Sequence, residues 1–102
     1  MSIKKQYPKR VRVCKVTFDV PEQVGSNFQT AYIVGEFNGW SKSATPMKRK
    51  KNGAFSATVD LQRGREYQFR YLFDDNKWEN DEEADKLAET PFVNTFNSVI
   101  VI

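Results

Sequence analysis

The stretch "YQFRYLFD" (residues 67–74) places Tyr67, Phe69, Tyr71 and Phe73 on one parity, with Gln68, Arg70 and Leu72 on the other. Successive side chains of an extended chain point to opposite faces, so a period of two reads as a half-buried strand and not as an amphipathic helix. The same alternation recurs in "RVCKVTFDV", where Cys14, Val16, Phe18 and Val20 oppose Val13, Lys15, Thr17 and Asp19. It appears again in "AFSATVDL", with Phe55, Ala57, Val59 and Leu61 on one face. "TAYIVGEF", the short "PMKRK" and the C-terminal "NSVIVI" complete the strand candidates; the last is apolar on both parities from Val99 to Ile102.

Turn signals separate these runs. Asn52-Gly53 reads as a two-residue hairpin, because both residues tolerate the positive φ of a type I′ turn. Asn38-Gly39, Gly64 and "DDNK" (74–77) mark further turns. Sustained helical periodicity is absent. Only the acidic "DEEADKLAE" (81–89) suits a helix, of about two turns, and it suits an acidic loop equally well. Short strands with turns between them predict an all-β antiparallel sandwich of about seven strands. A chain of 102 residues is enough for one domain. That domain is expected over residues 11–102, after a basic and flexible segment at 1–10.

The residue inventory argues against an enzyme. There is no histidine, which removes Ser-His and Cys-His pairs and the commonest metal ligand. The single cysteine, Cys14, lies on the apolar parity of its strand and reads as a small buried hydrophobe. Most of the carboxylates sit in a tight turn at Asp74 and Asp75 or in the one acidic stretch, and no phosphate-cradling glycine loop exists. No catalytic residue, metal or cofactor is expected.

Net charge is +3, unevenly spread: Lys4, Lys5, Lys9, Arg10, Arg12 and Lys15 near the start, "KRKK" at 48–51, and an acidic counterpart at 79–89. Mixed charge of this kind is what soluble surfaces carry, and neither a nucleic acid nor a membrane is expected as partner. The basic start has no apolar segment behind it, and no run approaches the ~20 apolar residues of a membrane span. The expectation is a cytoplasmic protein.

Two tryptophans remain. Trp40 closes "VGEFNGW", directly after Asn38-Gly39, and Trp78 follows "DDNK". A large aromatic beside a turn is either a plug folded back on the core or a displayed surface, and residue chemistry leaves both open. Display has a specific use. The axial C–H face of a glucose ring complements the negative face of an indole, and stacking removes apolar area from water.

The ordered run "AYIVGEFNGW…TPMKRKKNGAFSATVDLQRGREYQFRYLFDDNKWEND…FNSVIVI" resembles the family-48 carbohydrate-binding modules. These are early-set, immunoglobulin-like domains found at the N-termini of isoamylases and glycogen branching enzymes. They include the glycogen-binding domain of the AMP-activated protein kinase β subunit. The likeness runs from about Ala31 to Ile102. It implies an immunoglobulin-like sandwich and non-catalytic binding of α-1,4-linked glucans (glycogen, starch or maltooligosaccharides), with a glycogen-metabolising enzyme as a partner in trans. It also implies the site. The two stacking tryptophans fall on Trp40 and Trp78, the basic residue of the aromatic strand on Arg70, and the asparagine of the last strand on Asn97, with Thr95 as a lesser contact. Two departures stand out: the turn before Trp78 is longer than the usual Asp-Gly form, and Asp81-Glu82 replaces the usual Asp-Pro. The alternative of another class is an early-set protein-interaction or regulatory module that does not bind sugar.

Overall fold

The structure, a computed structural model, describes residues 1–9, 12–92 and 95–102. Arg10, counted above in the basic cluster, and Val11, where the domain was expected to begin, lie outside the described residues. Nine strands are found among them: β1 (Ser2–Gln6), β2 (Val13–Val20), β3 (Ala31–Gly35), β4 (Lys48–Arg49), β5 (Phe55–Gln62), β6 (Glu66–Phe73), β7 (Lys77–Glu79), β8 (Lys86–Glu89) and β9 (Phe96–Val101). One helical turn, α1 (Glu22–Gly25), and a 3₁₀ turn (Glu36–Asn38) interrupt them. The first sheet has the order β1-β2-β5-β4 and the second β3-β6-β9-β8, with β7 also paired to β6. The immunoglobulin-like sandwich is therefore present. The strands that alternation did not reveal are β1, β7 and β8, each too short to display a period.

The alternating faces meet as expected. Cys14, Val16, Phe18 and Val20 of β2 and Phe55 and Leu61 of β5 face Ile33, Phe69, Tyr71, Phe73 and Ile100 of the second sheet, all buried. Phe18 lies at the centre, with its ring 5.1 Å from Phe69 at 64° and 6.4 Å from Tyr71 at 80°. Such edge-to-face pairs add to the burial of apolar area. Tyr67, the outermost member of the aromatic row, is half-buried against this cluster.

Three local readings are corrected. The β4–β5 hairpin is not a two-residue type I′ turn. Gly53 N–H donates to the Lys50 carbonyl at 3.0 Å, and only Gly53 (φ 93°), not Asn52, has positive φ. The loop is thus a three-residue turn ending on a left-handed glycine. Asn52 accepts the Ala54 N–H at 3.0 Å, and the Gly53 carbonyl packs so tightly on α1 that a Cβ at Gly25 would come within 2.2 Å of it. Two consecutive positive φ values occur instead at Asp74-Asp75 (50° and 61°), as they do at Gly39-Trp40, and there Asn76 N–H reaches the Phe73 carbonyl at 3.1 Å. Asp74 is held there by the Gln29 and Thr30 N–H groups at 2.8 and 3.1 Å. Lys77 consequently already belongs to β7, paired with Phe73.

The acidic stretch is not a helix. Asp81 is buried and accepts the Tyr71 hydroxyl at 2.6 Å, while its own N–H donates to Ser98 Oγ at 2.8 Å. Its carboxylate also accepts the Glu83 N–H at 2.8 Å, which bends the chain into a turn before β8 pairs with β9. Burial, and then the Asp81 charge, push the Tyr71 hydroxyl well above the ordinary phenol range, so it stays a donor at any physiological pH.

Ser2–Gln6, within the segment expected to be flexible, runs as β1 against β2 with Ile3 opposite Phe18. Lys5 ties it to the second sheet, donating to Asp85 Oδ2 at 2.7 Å and the Val101 carbonyl at 2.9 Å. Partial burial of Asp85 acts to raise its pKa, yet the Lys5 ammonium and the Val101 N–H outweigh it and hold the carboxyl below the usual range.

Candidate functional site

Arg70 is adjacent to the buried Phe69 on β6, so strand geometry sends it to the outer face of the second sheet. Register places its neighbours there as well. Val34 is opposite Arg70, Trp78 and Tyr32 are opposite Leu72, and Val99 is opposite Gln68. Val34, Leu72 and Val99 nevertheless keep at most 2% of their surface exposed. Apolar side chains on an outward face are dry only where larger neighbours lie across them. Tyr32, half-buried opposite Leu72, and Trp40 and Trp78, at 39% and 38% exposure, are large residues available to do this. Neither the plug nor the display alternative holds alone: each tryptophan has more than half of its surface covered and presents the rest to solvent.

A groove of about 510 Å³ is lined by Trp40, Arg70, Trp78, Thr95 and Asn97 together. These come from four separate places in the chain. Trp78 and Asn97 both lie on the flank of β6 opposite β3, since β7 and β9 share that flank, while Trp40 follows β3 on the other side. Arg70 stands between them. Thr95 sits where the chain enters β9.

The polar side chains in the groove are fixed before any ligand arrives. Asn97 accepts from Arg70 Nε at 2.6 Å and donates from Nδ2 to Gln68 Oε1 at 2.9 Å. Arg70 Nη2 donates to the Phe96 carbonyl at 2.8 Å. A guanidinium carries five N–H groups, so these two bonds orient its plane without exhausting it. Lys42 Nζ lies 5.8 Å from the Trp78 ring centroid, a cation–π contact between the loop after Trp40 and the second tryptophan.

Trp40 is held in an unusual backbone state, with φ at 59° directly after Gly39 at 64°. A left-handed conformation costs an L-residue roughly 1–2 kcal/mol. Asn38 stabilises it: its Oδ1 accepts the Gly35 N–H at 3.1 Å, and its Nδ2 donates to the Ile33 carbonyl at 2.9 Å and to Thr45 Oγ1 at 3.0 Å. Trp40 N–H itself bonds the Gly35 carbonyl at 2.9 Å. The Asn of "FNGW" is thus the residue that folds the loop, while the Trp is what the loop presents. Asn38→Ala is expected to cost about 2–3 kcal/mol from three lost hydrogen bonds and to change the fluorescence environment of Trp40. Chemical denaturation measures the first effect; a loss under about 0.5 kcal/mol would contradict the role given to this amide.

Phe92 also lines the groove and is 74% exposed, the largest exposure among the described large hydrophobics. It was not singled out from the sequence. The available signal was an aromatic after Thr90-Pro91 in a segment without alternation, where no buried face asks for it. Among the described residues no three His, Cys, Asp or Glu side chains gather where a metal ion could sit, and no helix is long and apolar enough to cross a membrane.

Residues 23–102 match the family model described as the glycogen recognition site of AMP-activated protein kinase. The match contains every residue of the groove just described. No curated protein matches the chain.

Proposed function

We propose that this chain, which belongs to the family of the glycogen recognition site of AMP-activated protein kinase, is a non-catalytic module that binds α-1,4-linked glucans by stacking them on Trp40 and Trp78. The observation that carries this reading is the convergence of both half-exposed tryptophans with Arg70, Asn97 and Thr95 on one groove. Each indole offers an apolar face to the C–H face of a glucose ring, and the remaining Arg70 N–H groups donate to sugar hydroxyls. Because Asn97 and Phe96 already orient the guanidinium, binding freezes little additional side-chain motion. Affinity is expected in the micromolar to millimolar range, since a few stacked rings and solvent-competed hydrogen bonds must offset the entropy of association. Such a module brings a glycogen-metabolising enzyme and its polymer together in trans.

Native affinity electrophoresis tests the reading. Migration through a gel containing glycogen should be retarded relative to a plain gel. The retardation should persist in high salt, because a neutral polymer releases no counterions on binding. Equal relative mobility in both gels would leave the groove as a protein-interaction surface without sugar binding.

A further inference from the structure

A second groove, of about 520 Å³, shares Arg70 and Trp78 with the first and runs on past Asn80 and Lys86 to Leu87 and Phe96. We propose that it extends the glucan site, taking the sugars that follow those stacked on the tryptophans; this rests on the glucan reading above. Three observations support it.

Continuity comes first, because Trp78 and Arg70 line both grooves. The lining is also of the right kind. Leu87 and Phe96 are 57% and 39% exposed, an apolar surface large enough to receive a pyranose C–H face. Polar groups stand beside them. Finally, most of the lining charges have partners. Lys86 pairs with Glu66 at 2.7 Å, Glu79 with Lys77 at 3.6 Å and Glu82 with the Met1 ammonium, while the Asp81 carboxylate accepts from the Tyr71 hydroxyl and the Glu83 N–H. With three lining acids, one ammonium and one guanidinium, most of them already partnered, the groove suits an uncharged polyhydroxylated ligand better than a phosphate or a polyanion.

Leu87→Ser tests this, since Leu87 is exposed on an edge strand and its loss leaves the core untouched. Affinity for maltotriose, which the two platforms alone accommodate, should stay as in the parent. Affinity for glycogen and for long maltodextrins should fall roughly three- to tenfold, the expected effect of losing one apolar contact. Leu87→Trp, which enlarges the surface, should shift long-chain affinity the other way. Unchanged long-chain affinity in both variants, with the melting temperature intact, would overturn the extension while leaving the tryptophan site standing. If the parent protein binds neither short nor long glucans, the reading beneath falls and the extension falls with it.

Discussion

Replacing Phe69 by alanine is expected to destabilise the protein by about 3–5 kcal/mol, as large-to-small changes at fully buried aromatics do. Phe69 has no exposed surface, packs edge-on to Phe18 at 5.1 Å and lies 5.8 Å from Tyr71. Removing its ring opens a cavity between the sheets that β2 and β6 cannot both move to fill, because each is hydrogen-bonded on both sides. Against a total stability of ~5–15 kcal/mol, that loss threatens the fold at physiological temperature. Urea denaturation of both proteins gives the number. A change below about 1 kcal/mol would mean that this parity of β6 is not the core, and Arg70 could then not be the outward residue that the groove requires.

Trp78→Ala should weaken glucan binding by roughly ten- to hundredfold, the range of a central aromatic contact. The residue is also half-covered and stands opposite the buried Leu72, so the same change should lower stability by about 1–2 kcal/mol. Trp78→Phe separates the two effects: it keeps an aromatic cover over the sheet and offers the sugar a smaller platform. Its stability should stay close to that of the parent while affinity falls between parent and alanine variant. With both tryptophans present, maltooligosaccharides should change the fluorescence and cellooligosaccharides should do so far less, because α-1,4 linkages curve the chain and β-1,4 linkages extend it. A folded Trp78→Ala protein that binds glycogen like the parent would remove Trp78 from the site.

The strands that bury one face were legible residue by residue, since alternation is a local property of β2, β5 and β6 and is written directly in the chain. β1, β7 and β8 were not, because three to five residues carry too little pattern and their placement is decided by partners outside the segment: Lys5 by Asp85, Trp78 by Leu72, Leu87 by Ser98. The acidic stretch was undecidable for the same reason. Its conformation depends on a hydrogen bond from Tyr71, ten residues earlier.

The site divides in the same way. Sequence by itself determined which faces of the long strands are apolar, that Arg70 points away from them, and that two tryptophans follow turns, to which resemblance to a glucan-binding family gave a stacking role. Tertiary structure alone decided that Trp40, Trp78, Asn97 and Thr95 converge around Arg70. It alone left each tryptophan partly covered and partly exposed, and brought Phe92 and the Leu87–Phe96 groove beside them. The reason is physical. A residue's facing within a strand follows from backbone geometry over two or three residues, whereas its neighbours across a sheet follow from register, which only the packed core and the turns between strands can set.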